Sequence, residues 1–392
     1  MQDLTVPTMF ASLQDLPLST SSDLRLAESS KSEQMHIWNL KAREPYTPEA
    51  YAAIEEHCAN QLITNNGQMI KWVLVHGHSG TEDANRVVLA SCHSIQRPAL
   101  VARLGDDGES KLEPVVCHTI RGVYCPEEFR RRGYATRLIN EVQKVLENRV
   151  LEHDDAKAQF TCCYSDIGNS IYRKGGWKAF AATHIDLPLL AEMESRVPPS
   201  NIELLQAADV DKLCAQDVDL MSRALSRPFQ PHEKPIRVAL LPNYPSIQWH
   251  HACEEAASRH ILGRVPTTKG ALASIQHGKI WCTWHHTFPG ANQIELHILR
   301  FVVDVNDSHD EQLLSAIGAV LQAARIEAAE WKVNRIVIKS PDPLVVSAAR
   351  RTFSKIQVEE RDIYGVPFLL WHGPPQEVED IEWTFNEEYG DF

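Results

Sequence analysis

Arg130-Arg131-Arg132-Gly133-Tyr134-Ala135-Thr136 decides the reading of this chain. The apolar run 115–124 precedes it and ends at Cys125-Pro126, where proline stops regular strand pairing. From Tyr134 onward, Leu138, Ile139, Val142, Val145 and Leu146 recur at helical spacing. A strand therefore hands over to a helix through a turn of unpaired backbone N–H groups ringed by positive side chains. The free amides and the helix dipole both favour an anion, and a pyrophosphate fits the pattern. Gly133 lets the backbone approach phosphate oxygens, and Ala135 keeps the next turn clear. There is no G-x-x-x-x-G-K loop, and one glycine cannot supply G-x-G-x-x-G.

At 392 residues the chain is long for one core, so two domains are expected. Pro198-Pro199-Ser200 marks the boundary, giving a flexible start over 1–20, a first domain over 21–197 and a second over 198–392. The formal charge of −13 excludes an extended nucleic-acid footprint. The arginine triplet is then a local pocket for a polyanionic small molecule, and an acidic body draws cationic substrates such as amines. No apolar run reaches the ~20 residues that span a bilayer, and the first residues lack a signal peptide's layout, so a cytoplasmic protein is expected. Nine cysteines are scattered without a C-x-x-C pair, which predicts thiols in a reducing compartment and no zinc site; no metal is expected. Cys125 lies beside the anion loop but reads as a packing residue.

Alternation and helical spacing give an order of elements. Strands are expected over 23–28, 72–75, 87–92 and 115–124, with a polar loop over 77–85; Thr47-Pro48 opens a helix bearing Tyr51, Ile54 and Cys58. After the 134–148 helix come a strand at 158–164, a short helix over 165–174 closed by Gly175-Gly176, and a strand over 177–187. The second domain opens with a helix over 209–224, and prolines 228 to 245 then punctuate loops. Strands at 280–288 and 294–303, a helix at 310–331, a strand at 336–338, a helix from Ser340-Pro341 and a strand at 366–371 repeat the first domain's order. The fold class is α/β: a mixed sheet with flanking helices, then a second α/β domain of the same layout. The turn before the second long helix, Val305-Asn306-Asp307-Ser308-His309-Asp310, carries carboxylates that repel a pyrophosphate, so only the first half is expected to take a cofactor.

Arg130, Gly133 and Ala135 match the (R/Q)-x-x-G-x-(G/A) acyl-CoA loop, and the chain resembles the GNAT acetyltransferase superfamily. Tyr172-Arg173-Lys174-Gly175-Gly176-Trp177 resembles that superfamily's Tyr-x-Lys-x-Gly-Phe ending. The blocks 91–100, 125–136 and 164–168 look similar to fungal lysine N6-acetyltransferases of lysine catabolism, as do the length and the extra C-terminal domain. The resemblance implies acetyl-CoA as cofactor, L-lysine as acceptor and N6-acetyl-L-lysine as product. It implies Tyr172 as the acid that protonates the departing thiolate, and backbone groups of Val123 and Cys125 on the pantetheine arm and thioester carbonyl. Arg130, Arg131, Arg132, Gly133, Tyr134, Ala135 and Thr136 hold the pyrophosphate. Ser165 stands where many relatives place a cofactor-contacting asparagine, and His93 where the family often shows an acidic residue.

The general base is the least defined part. His118 and Asp166 are candidates beside a water chain, because an ammonium of pKa ~10.4 must lose a proton before it attacks. Arg97 and Arg121 are conceivable partners of a substrate carboxylate. The acidic, aromatic segment Glu382 to Tyr389 is a possible cover for the pocket, facing the amine. A protein or peptide N-acetyltransferase and a non-catalytic acetyl-CoA-binding regulator remain the alternatives.

Overall fold

The computed structural model describes residues 16–76, 86–149, 158–166, 170–191, 193–276, 278–305 and 311–392. The expected polar loop 77–85, the turn 306–310 and most of the flexible start lie outside these. The first half begins with β1 (Leu24–Glu28), α1 (Lys31–Lys41) and α2 (Pro48–Ala59). Ser30 caps α1 in a reciprocal capping box with Glu33, and Thr47 caps α2 ahead of its N-terminal proline. The antiparallel strands β2 (Met69–His76), β3 (Val87–Leu104) and β4 (Ser110–Tyr124) follow. Then come α3 (Tyr134–Asn148), β5 (Phe160–Ser165), α4 (Ser170–Lys174), β6 (Lys178–Ala179) and β7 (Thr183–Leu187).

The second half has β8 (Ile202–Leu205), α5 (Ala207–Leu225), β9 (Ile236–Leu240), α6 (Tyr244–Leu262), β10 (Gly270–Ile275), β11 (Gly278–Gly290) and β12 (Gln293–Val305). It closes with α7 (Glu311–Glu330), β13 (Arg335–Lys339), α8 (Pro343–Thr352), β14 (Glu359–Glu360), β15 (Val366–Trp371) and β16 (Ile381–Trp383). Helix α6 falls where prolines suggest loops. Its capping residue is Asn243 and Pro245 sits in its first turn, where a missing N–H is no loss.

Both halves share one plan, and they exchange strands. In the first sheet the order is β1-β2-β3-β4-β5-β15-β6, so a strand from the chain's far end lies between β5 and β6. In the second it is β14-β7-β13-β12-β11-β10-β8, so β7 takes the matching place between β13 and β14. The expected strand over 177–187 is thus two strands serving different sheets. Each half is completed by the other, and β9 adds a further link by pairing with β3.

The cores follow from this plan. One face of the first sheet packs Leu74, Leu89 and Ile120 against the α3 stripe Leu138, Ile139, Val142 and Leu146, with Phe368 contributed by β15. The equivalent second core sets Ile280, Trp284, Ile298 and Ile338 against Ile317, Val320, Leu321 and Ala324 of α7. A third cluster, with Leu100, Val238, Leu369, Trp383 and Tyr389, joins the halves.

Candidate active site

Two local features of β4 shape the site. Its parallel pairing to β5 runs from Cys117↔Phe160 to Ile120↔Cys163 and stops there. Beyond that point Tyr164 and Ser165 pair only with β15, so β4 and β5 part and leave a wedge between them. On its other edge β4 bulges: Ser91 faces Tyr124 and His93 faces Arg121, which sets Gly122 and Val123 against Cys92 alone. Gly122 takes φ +62°, and an added Cβ would lie 3.2 Å from Lys41 Nζ. Val123, in the bulge, is half-buried.

The chain then passes a short 3-10 turn (Glu127–Phe129) and enters α3 through Gly133, with φ +86°. No side chain caps this helix, so the first-turn amides of Tyr134, Ala135 and Thr136 receive no side-chain oxygen. Arg130, Arg131 and Arg132 are exposed around them, and Arg130 Nε donates to the Cys125 carbonyl at 3.1 Å. A Cβ on Gly133 would come within 2.8 Å of Ser19 Oγ. The 17–19 segment is tied alongside: Tyr134 Oη donates to the Pro17 carbonyl at 2.5 Å, and Arg137 Nη1 to that of Ser19 at 3.1 Å. Among the described residues, the loop thus sets uncapped first-turn amides beside the exposed guanidinium groups of Arg131 and Arg132 at a glycine-dependent turn, an arrangement that favours an anion.

Tyr172 lies under the wedge. Its ring packs against Phe368 and Trp177, with centroids 5.2 and 5.5 Å away, and it is buried. Burial and the neighbouring Cys163 hold its phenol well above the usual tyrosine range, so it stays protonated. Because Cys163 makes the last β4–β5 pair, the phenol borders the point where the strands part. Cys125 donates its thiol to the Leu89 carbonyl at 3.3 Å, and burial pushes its pKa up to about 11, which suits packing and not a thiolate nucleophile.

Among the base candidates, His118 is buried near Arg149 and His372, with its pKa lowered to about 4 by burial and then by the Arg149 charge. Arg149 follows the far end of α3, so His118 sits about 20 Å of helix from Gly133. Asp166 accepts from the Gly365 N–H at 2.9 Å; Ser165 is buried at the end of β5. Residues 167–169, within the expected 165–174 helix, lie outside the described residues.

Arg121, expected as a possible partner of a substrate carboxylate, is paired instead with Glu55, which sequence reading missed. Arg121 Nη2 meets Glu55 Oε1 at 3.3 Å, and its guanidinium lies 5.0 Å over the Trp249 ring of α6. Although burial opposes the charge, Arg121 and then Lys41 hold the Glu55 carboxyl down at about 2. Burial and the neighbouring Glu55 carboxylate raise the Tyr51 phenol, and His93 is kept neutral by burial and by Arg121. The signal was present: Glu55 is four residues after Tyr51, on the helix face that carries Ile54 and Cys58. Cys58 and Cys253 form a disulfide between α2 and α6, against the expectation of thiols throughout; their Cα atoms are 5.6 Å apart, which sequence separation of 195 conceals.

Arg97 is spent on structure. It is fully buried, its Nη1 donates to the Gly390 carbonyl and its Nη2 to Ser246 Oγ and the Tyr389 carbonyl, and it lies 4.2 Å over the Phe392 ring. The acidic tail is packed between the halves. Tyr164 Oη donates to Asn386 at 2.6 Å, Glu387 pairs with Arg300, and Glu388 pairs with Lys339 at 2.6 Å. Glu387 Oε2 also accepts the Phe301 N–H at 2.9 Å. Phe301 lies just past the last β12–β13 pair, Ile298↔Ile338, where the second sheet parts as the first does. The tail therefore fills the second wedge's amide.

Two strand-sharing sheets, each parting beside a long helix, and one uncapped basic turn define a GNAT-type acetyltransferase. The chain belongs to the family described as the LYC1 GNAT-like C-terminal domain, whose model matches residues 184–392, more than half of it. The match also identifies the second half as GNAT-like. A lysine acetyltransferase of Yarrowia lipolytica is 23% identical over 296 residues, covering 66% of this chain and 69% of the relative. Among solved structures, N-myristoyltransferase of Saccharomyces cerevisiae with bound myristoyl-CoA superposes over 91% of this chain and 80% of its own, with TM-score 0.50 and 11% identity. A GCN5-related N-acetyltransferase of Kribbella flavida covers 90% of this chain and 72% of its own, with TM-score 0.47 and 14% identity.

Proposed function

We propose that the chain transfers the acetyl group of acetyl-CoA to the side-chain amine of free L-lysine, giving N6-acetyl-L-lysine and CoA by direct transfer in a ternary complex. The observation that carries this is the parting of β4 from β5 after Ile120↔Cys163, followed along the chain by the uncapped, arginine-ringed start of α3. The lysine acetyltransferase of Yarrowia lipolytica supports the acceptor, and the acyl-CoA held by the yeast N-myristoyltransferase supports the donor class.

In this reading the amides of Gly133, Tyr134, Ala135 and Thr136 and the guanidinium groups of Arg130, Arg131 and Arg132 hold the pyrophosphate. The backbone of Val123 pairs with the pantetheine arm, an amide at Cys125 polarises the thioester carbonyl, and Ser165 borders the arm's far side. A donor placed at the developing oxyanion is worth about 3 kcal/mol. Tyr172, kept protonated, donates to the departing sulfur. Since a thiol has pKa ~8.5, the phenol holds its proton more tightly than the product thiol. Its contribution is therefore a strong hydrogen bond to the developing thiolate. Arg121 and Glu55 together offer both charges that a zwitterionic acceptor seeks, and solvent takes the proton from the ammonium.

The test is acetyl-CoA-dependent thiol release by the purified chain, with L-lysine, other amines and a lysine-containing peptide in parallel. Release with free L-lysine and little with peptide is expected. Release with peptide alone would move the function to protein modification, and silence with acetyl-CoA still bound would make the chain a binding protein.

A further inference from the structure

Outside the wedge, one buried cluster has unspent chemistry. His285 on β11 and His297 on β12 are direct cross-strand partners, so their side chains stand together on one face of the second sheet. Glu388, in the tail's last 3-10 turn, descends onto them. Its Oε1 lies 3.2 Å from His297 Nδ1 and 3.9 Å from His285 Nε2, and the three ligand atoms all lie within 4.8 Å of one another. Atoms about 2.1 Å from a tetrahedral ion stand about 3.4 Å apart, which these separations bracket. Both ring nitrogens are buried and neither makes a hydrogen bond.

The surroundings orient these groups toward a common point. Glu295 Oε2 lies 2.9 Å from His297 Nε2, the carboxylate–histidine contact that fixes a ligand's tautomer and leaves Nδ1 with a lone pair. Lys339 Nζ holds the other Glu388 oxygen at 2.6 Å, which turns Oε1 alone toward the histidines. Asp391 compensates the lysine's charge at 2.7 Å. Two imidazoles and one carboxylate suit zinc better than the oxygen-seeking cations.

We propose that His285, His297 and Glu388 bind one zinc ion, which fastens the C-terminal tail to the second sheet. The ion would secure the segment whose carbonyls Arg97 grips from the first sheet, and so clamp the two halves. The inference is independent of the acyl-transfer reading, and its ligands are distinct from the residues placed in that mechanism.

The test titrates Zn2+ into the full-length, tag-free chain after removal of metal with a chelator, read by calorimetry and by Tm. One equivalent is expected to bind and to raise Tm. His285→Gln and His297→Gln should each weaken binding at least 100-fold, with folding checked by circular dichroism. Glu295→Gln, which touches no metal, should weaken it about 10–100-fold through the ring it orients. If a histidine variant does not fold, the Co2+-loaded wild-type chain decides: a tetrahedral visible spectrum upholds the site and an octahedral one overturns it. Absence of saturable binding, or one-equivalent binding that survives both histidine substitutions, would show that the cluster is held by protons alone.

Discussion

Gly133→Asp tests the anion site most directly. Gly133 holds φ +86°, and a non-glycine residue in the left-handed region loses roughly 1–2 kcal/mol. The new Cβ would also press on Ser19 Oγ, a side-chain end that can move aside. Stability should therefore fall by about 1–2 kcal/mol, leaving a folded protein. The larger effect is electrostatic, since the carboxylate would sit at the helix start where a diphosphate belongs. Two unit charges 4 Å apart repel by about 1 kcal/mol in water and about 4 kcal/mol at an effective dielectric of 20. Acetyl-CoA affinity should accordingly drop by about 5-fold to several-hundred-fold. Gly133→Ala provides the control, with similar strain and no charge. The assay is calorimetric titration with acetyl-CoA, with Tm measured alongside. Affinity within twofold of wild type in a folded Gly133→Asp chain would remove the phosphate-loop assignment.

Tyr172→Phe keeps the ring packed against Phe368 and Trp177 and deletes the donor; kcat should fall at least tenfold while acetyl-CoA affinity stays within threefold, and unchanged turnover would reject the role. Glu55→Gln strands the Arg121 guanidinium in a largely buried setting and should destabilise by about 3–5 kcal/mol, whereas an unchanged denaturant midpoint would show that solvent already carries that charge. Stability should also fall from pH 7 toward pH 4. His118 and His372 have pKa values lowered to about 4 and His251 to about 3, so the unfolded chain binds more protons below 6.5 and folding loses about 3 kcal/mol for each of the first two. Glu327, pushed up to about 7 by burial, acts in the opposite sense, as do Glu387 and Asp391, whose carboxyls burial raises, and His297, raised beside Glu388 and Glu295. A Tm that does not change between pH 7 and 4.5 would contradict this balance.

Local periodicity and turn chemistry carried much of the fold. The α3 stripe, the arginine–glycine turn and the strand 366–371 are short-range patterns, and each appears where the spacing puts it. The second half's likeness to the first was legible for the same reason, because the order of strands and helices repeats along the chain. Helix α6 was obscured by prolines that fall in its first turn and before it, where the same residue breaks or starts a helix according to context.

The sequence by itself determined where an uncapped, arginine-flanked helix start falls, since glycine, arginine and the helix's first residues are neighbours in the chain. Only the tertiary structure decided what meets across it. Strand exchange places β15 in the first sheet and β7 in the second, a choice between equivalent edges that no local pattern encodes. The pairs Glu55–Arg121, Arg97 with the tail, and His285 and His297 with Glu388 span from 12 to 293 residues of chain or join three separate elements. Their ionisation, geometry and chemistry arise from burial among partners that only the packed chain supplies.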